Sequence, residues 1–244
     1  MATPSLLLLL ADGRFPAGAH AHSGGLEAAV AAGRVTDLVT LEAFLAGRLA
    51  TAGLVGAAFA AAAHRTAVPE SVGSAHPARS GVVTGPAVRS QALARLDAEL
   101  DARTAAPALR AVSRRQGRAL LRAGRAVWPD APFADLPATP GGAHQPLVLG
   151  LLCAAAGLSR VETATIAAYG TVTGAASAGV RLLGLDPYRV QALLVGLADA
   201  CDGTAADAAR AADGPPERLP AAAAPLADIH AEIHATWEVR LFAS

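Results

Sequence analysis

The chain has 244 residues, no net formal charge, 53% hydrophobic residues and only 4% aromatic residues. This length suits one large domain or two small ones, and the apolar fraction is large enough for a sizeable core. The zero net charge gives no indication of the basic footprint that nucleic-acid binding requires, so no nucleic-acid partner is predicted. Because much of the apolar content is alanine, whereas strands favour β-branched and aromatic residues, the composition predicts closely packed helices.

The first predicted element is a short leucine-rich segment, residues 6–10, which leads into a turn rich in glycine, proline and histidine. Pro16 fixes its own backbone angle and restricts Phe15 before it. Ser23 is predicted to cap the helix that opens at residues 24–27, while His22 orders the turn. We therefore expect a rigid, shaped loop near the N-terminus.

Apolar spacing predicts helices over most of the remaining chain. Thr36 or Asp37 can cap the first of them, which runs to residue 64. Further helices are predicted at 87–102, 109–127, 146–157, 160–183, 187–202, 205–212 and 225–235, with irregular loops near 66–86 and 129–142. The sequence thus predicts an all-α bundle of about eight to ten helices, with residues 1–244 forming a single domain.

The predicted helix at 109–127 carries its arginines on one face, opposite an apolar stripe. They are Arg110, Arg114, Arg115, Arg118, Arg122 and Arg125. The spacing favours a solvated face, and the alternative is a surface that meets an acidic partner.

The two cysteines, Cys153 and Cys201, lie inside apolar helical stretches without any paired spacing, which favours buried, reduced thiols. Residues 52–63 and 147–158 are apolar but fall short of the roughly 20 residues that span a bilayer. Residues 6–11 are too short for a secretory signal. The sequence therefore predicts a cytoplasmic protein that does not enter a membrane.

The histidines raise two chemical alternatives. His230 and His234 are four residues apart and could chelate a divalent ion from one helix face, but no third ligand has compelling spacing, so no metal site is predicted. His22 beside Ser23 lacks a nucleophile elbow, and the chain has neither a phosphate-binding loop nor any lysine to serve one. The remaining enzyme hypothesis is a helical metal-dependent hydrolase that uses His20, His22, His144, His230 or His234.

Long motifs of mixed residue types lie at both ends of the chain. The N-terminal pattern is D-x-x-F-P-x-G followed by H-S-x-G-L-E, matched by Asp12, Phe15, Pro16, Gly18, His22, Ser23, Gly25, Leu26 and Glu27. It resembles the signature of the UreF family of urease accessory proteins, although His20 stands where the family usually has an aromatic residue. The ending R-L-F-x-S, residues 240–244, also resembles the family.

Internal segments resemble the same family. They include Asp97, Ser113, the Gly117-Arg118 pair, His144, Pro146 and the stretch 169–182 that contains Arg181. The chain departs from the family pattern at two places. The family usually reads R-L-x-P-L-G-Q from the position of Arg181, where this chain reads R-L-L-G-L-D-P. The family also carries an H-E pair, whereas His234 here is followed by Ala235.

The resemblance implies a non-enzymatic, all-α chaperone that dimerises and binds a UreD/UreH-type accessory protein. Through that complex it would recruit the UreG GTPase and pass Ni²⁺ to apo-urease, with no tightly bound cofactor and only transient handling of nickel. The N-terminal site would be shaped by Phe15, Pro16, His22, Ser23 and Glu27. Partner contact would fall to Arg181, Arg240, Leu241 and Phe242, the last three forming an amphipathic tail that is expected to be exposed. The alternative is that the tail packs on its own bundle.

Overall fold

The computed structural model describes residues 4–13, 15–16, 21–68 and 85–242. Within these ranges the chain forms eleven α-helices and no strand. They are α1 (Pro4–Ala11), α2 (Leu26–Ala31), α3 (Leu38–Arg48), α4 (Leu54–Ala67), α5 (Pro86–Arg103), α6 (Pro107–Val127), α7 (Gln145–Ala155), α8 (Arg160–Leu183), α9 (Pro187–Gly196), α10 (Ala198–Ala211) and α11 (Pro225–Ala235). A π-helical turn, Leu49–Gly53, makes α3 and α4 continuous, so the described residues form ten helical segments. The predicted all-α architecture is confirmed.

Local chemistry fixes several helix starts where the sequence predicts them. Asp37 and Thr40 form a capping box at α3, in which the Asp37 carboxylate accepts a hydrogen bond from the Thr40 amide at 2.9 Å. Ser159 and Glu162 form the predicted capping box at α8, since each side chain accepts a hydrogen bond from the other's backbone amide. These pairs satisfy amides that a helix start leaves without partners.

The central element of the core is α4, which packs against α5, α7, α8 and α10. Nearly all of its residues from 55 to 64 are buried. The continuous helix Leu38–Ala67 has 30 residues and contains an 18-residue window with a mean hydropathy of 1.5, so by length and composition alone it could cross a membrane. The predicted apolar stretch 52–63 covered only part of it. Of that window 44% is buried in the bundle, and the buried residues lie mainly in α4.

Alanine and glycine let α4 and α7 approach closely. A Cβ atom on Gly150 would lie 2.3 Å from the carbonyl oxygen of Ala60, closer than side-chain carbons come to such an oxygen. The alanine-rich composition of α4 therefore reflects helix–helix packing at short distance.

Two sequence predictions need correction. The expected break between helices near residues 203–204 lies instead at Leu197, because Leu197, Cys201 and Ala205 form one buried stripe that continues along α10. The arginine face of α6 is solvated at Arg115, Arg118, Arg122 and Arg125, but Arg114 points inward to two carboxylates.

The two predicted loops are described to different extents. Most of the loop near 66–86, residues 69–84, lies outside the described residues. The loop at 129–142 contains one 3₁₀ turn, Phe133–Asp135, which buries the Phe133 ring in the core.

Candidate functional site

The carboxylate of Glu27 joins the N-terminal motif to the C-terminal tail. Glu27 lies in the first turn of α2, and only 8% of its surface is exposed. One oxygen, Oε2, lies 2.9 Å from Nε2 of His234 and accepts a hydrogen bond from the amide of Phe242 at 3.0 Å. The other, Oε1, accepts from the amide of Leu241 at 2.8 Å. These four residues, Glu27, His234, Leu241 and Phe242, are called the tail clamp below.

The three donors explain how a carboxylate can be buried here. Burial by itself raises the pKa of Glu27, but the hydrogen bonds from Leu241, His234 and Phe242 outweigh it and hold that pKa below the usual 4.5. Hydrogen bonds to the charged form of a carboxyl group stabilise that form. Glu27 is therefore ionised at neutral pH.

The tail is divided between a buried anchor and exposed side chains. Phe242 is 4% exposed, and the guanidinium of Arg181 lies 4.3 Å from the centre of its ring. Leu241 is 75% exposed, and Arg240 is exposed as well. The expected exposure of the tail is thus correct for Arg240 and Leu241 and wrong for Phe242, because the clamp draws the Phe242 backbone onto the bundle. Residues 243–244 lie outside the described residues.

The N-terminal turn leads directly into the clamp. Ser23 is fully buried, and its hydroxyl accepts a hydrogen bond from the amide of Glu27 at 3.3 Å, which is the capping contact expected from the sequence, although Gly25 occupies the cap position itself. The Phe15 ring is buried, and Pro16 is exposed. His22 is half-buried, while Gly18 and His20 lie outside the described residues. The predicted residues Ser23, Glu27, Arg181 and Phe242 therefore meet in one place.

The sequence did not predict the role of His234. Its ring is fully buried against Glu27 and lies 4.6 Å from the ring of Trp237. A signal was present, because His234 shares the inner face of α11 with Ala231, and a buried imidazole needs a polar partner. Glu27 is the only acidic residue in the otherwise apolar α2.

A second buried polar cluster, the α5–α7 network, ties three helices together. His144 is fully buried, with Nε2 2.8 Å from Asp101 and Nδ1 2.9 Å from the hydroxyl of Ser113. Arg114 reaches both Asp97, at 2.8 Å, and Asp101, at 2.9 Å. Burial lowers the pKa of His144 while the hydrogen bond to Asp101 opposes that shift. The neutral ring is fully paired if Nε2 donates to Asp101 and Nδ1 accepts from Ser113.

The contacts of Ser113, His144 and Asp101 have the composition of a hydrolytic triad, but the His144 ring is fully buried and the Ser113 hydroxyl is held between two helices. Ser113 lies inside α6, and its hydroxyl also accepts a hydrogen bond from the amide of Gln145 at 3.3 Å. A Cβ atom on Gly117, one turn along, would already lie 2.2 Å from the carbonyl oxygen of Ala143. The network therefore acts as a tie between helices.

The histidine pair of α11 is not arranged as a chelate. His234 is taken up by the tail clamp, whereas His230 is half-exposed. Across the ranges that the structure describes, no group of three or more His, Cys, Asp and Glu side chains is placed to hold a metal ion. Among the described residues, the geometry gives no support to the metal-dependent hydrolase hypothesis; His20, one of its candidate ligands, lies outside them.

Comparison with known proteins places this chain in a family. The UreF family model matches residues 35–198. A urease accessory protein UreF from Mycolicibacterium vanbaalenii is 42% identical over 244 residues, which is the full length of both chains. One from a Mycobacterium species, strain JLS, is 43% identical over the same length. Another, from Mycobacterium tuberculosis, is 42% identical over 208 residues, 85% of this chain and 86% of that protein. The chain belongs to the UreF family of urease accessory proteins.

Proposed function

We propose that this chain is a non-catalytic scaffold for the insertion of nickel into urease. It binds a UreD/UreH-type accessory protein, and this complex recruits a UreG-type GTPase and promotes delivery of Ni²⁺ to apo-urease. Nickel is cargo that is handled transiently within the complex, and no cofactor is bound tightly. The proposal places the protein in the cytoplasm, where apo-urease is loaded.

The observation that carries the proposal is the tail beside Glu27, in a chain that belongs to the UreF family. The tail clamp holds Phe242 against the bundle and leaves Arg240 and Leu241 in solvent, Leu241 at 75% exposure. Arginine and large apolar side chains that a partner can desolvate are frequent hot spots of protein interfaces. An exposed leucine held on an ordered backbone therefore favours a docking role over chemistry.

The scaffold works by holding its partners in a fixed geometry, so that the metal is handed over without release to solvent. It is proposed to do so as a homodimer. Large apolar side chains that remain exposed on α3 and α9 support further contacts, notably Val39 at 75%, Tyr188 at 85% and Val195 at 76% exposure. Apolar surface of this kind makes an isolated protein prone to association.

The experiment is co-purification. The tagged chain is co-expressed with the UreD/UreH-type and UreG-type proteins of the same organism, and the complex is weighed by light scattering. The wild-type chain is expected to give a stoichiometric complex with two copies of itself. A variant with Arg240→Ala and Leu241→Ala is expected to give a much lower yield of this complex, while Val161→Ala, which is 52% exposed on α8, is expected to give the full yield.

Two outcomes would contradict the proposal. A wild-type chain that purifies alone in the presence of both partners is not their scaffold. A chain that stays alone and carries stoichiometric, tightly bound metal would instead revive the hydrolase hypothesis.

A further inference from the structure

We propose that Glu27 is a positioning residue for partner binding, acting through the backbone of the tail. Its carboxylate fixes the amides of Leu241 and Phe242, so that the side chains of Arg240 and Leu241 are held outward in the geometry that the partner recognises. This inference rests on the proposed function above, and adds to it that the docking surface is assembled by a residue more than two hundred positions away in the sequence.

The physical reason is the cost of ordering a chain end. Terminal residues are poorly ordered unless something ties them down. Binding to a disordered segment must supply the free energy of ordering it, and a segment that is already ordered binds more tightly through the same contacts. The tail clamp supplies this order before the partner arrives, because the backbone amides at 241 and 242 are both held by one buried side chain.

A carboxylate is the group that this arrangement requires. Three donors converge on two oxygens: the Leu241 amide on Oε1, and the His234 ring and the Phe242 amide on Oε2. Glutamine has nearly the same shape but only one acceptor oxygen, and its NH₂ group donates. In either orientation of a glutamine at 27, that NH₂ group faces at least one donor. Glu27→Gln therefore places one hydrogen-bond donor against another in the tail clamp, while the side chain keeps nearly the same volume.

The first test is the affinity of the full-length chain for the UreD/UreH-type protein, measured by titration calorimetry. Glu27→Gln is expected to weaken binding by at least about tenfold. In a background with Arg240→Ala and Leu241→Ala, the same substitution is expected to change the remaining affinity by less than about twofold, because the side chains that Glu27 positions are already gone. The matched control is Glu162→Gln, which alters a carboxylate that accepts a backbone amide at the start of α8 and is expected to leave the affinity unchanged.

The second test needs no partner. Hydrogen exchange at the amides of Leu241 and Phe242 is expected to accelerate in Glu27→Gln, while the amides of α4 stay protected. If Glu27→Gln fails to fold, Glu27→Asp keeps the charge with a shorter reach, and is expected to show intermediate affinity and intermediate exchange.

The outcomes separate the two proposals. If the wild-type chain does not bind the partner, the proposed function fails. If the wild type binds and Glu27→Gln binds equally well, only the positioning role is overturned. The same holds if Glu27→Gln lowers the affinity by the same factor in the wild-type chain and in the Arg240→Ala, Leu241→Ala background. Unchanged exchange at Leu241 and Phe242 would overturn it as well.

Discussion

The close packing of α4 and α7 predicts a large effect from one added methyl group. In Gly150→Ala the new Cβ would lie 2.3 Å from the Ala60 carbonyl oxygen, 2.7 Å from the His64 amide nitrogen and 2.8 Å from Cβ of Ala63. Relieving these overlaps requires the two helices to separate by about 1 Å in a core packed as densely as a crystal. Overpacking costs about 1–3 kcal/mol. Because the nearest atoms belong to backbone, we expect the upper part of that range, less the gain of up to about 1 kcal/mol that alanine brings to a helix.

The expected net loss is thus about 2 kcal/mol of unfolding free energy, measured by urea unfolding followed by circular dichroism. In a protein of this size it corresponds to a fall of about 4–8 °C in Tm. The matched control is Gly170→Ala in α8, where an added Cβ meets nothing within 4 Å and the free energy should rise by up to about 1 kcal/mol. The reasoning is refuted if Gly150→Ala unfolds at the wild-type urea concentration with an unchanged m value.

Three further predictions follow from burial. Burial holds the pKa of His64 below 6.5, and its ring lies 2.7 Å from the carbonyl oxygen of Leu158. As the pH falls, this histidine takes up a proton in the unfolded chain before it does so in the folded one. Its contribution to the free energy of unfolding is therefore fully present above pH 6.5 and is lost as the pH drops below that value. His64→Gln should flatten that fall between about pH 7 and about pH 5 in urea titrations, and an unaltered slope contradicts this. Phe242→Ala should cost about 2 kcal/mol, less than a central phenylalanine because a chain end can detach, whereas Leu241→Ala should stay within about 0.5 kcal/mol; equal losses would be inconsistent with the tail geometry. Burial raises the pKa of the Cys153 thiol to about 12, so it should react with Ellman's reagent only after unfolding, and rapid labelling of the native chain would count against its burial.

The fold could be predicted from the sequence wherever a helix end is set by local chemistry. Asp37, Ser159 and Pro225 each carry their signal within a few residues, and the helices begin at or next to them. The break at Leu197 could not be predicted in this way. It depends on which side of the chain faces the core, and that is decided by packing against α8 and α4.

The residues of the candidate site were predictable one by one, but their arrangement was not. Glu27 and Phe242 each belong to a motif that could be recognised in the sequence. That Glu27 binds the Phe242 amide, 215 residues further along the chain, follows only from the way α2, α8 and α11 are brought together. The same limit applies to His234, whose four-residue spacing from His230 suggested a metal ligand, while its actual partner is a carboxylate 207 residues away.

Among the residues that the structure describes, two acid–histidine pairs share one geometry and differ in what lies beside them. In both pairs a fully buried imidazole contacts a carboxylate, His144 with Asp101 and His234 with Glu27. A catalytic histidine must reach a substrate, and neither of these rings reaches solvent, so both act as ties between distant segments. The His144 tie joins helices to one another, whereas the His234 tie ends in a tail whose next side chain, Leu241, is 75% exposed. The surface that a partner can bind is therefore expected beside Glu27, where the contact with His234 helps to order a tail whose Leu241 side chain is not packed in the core.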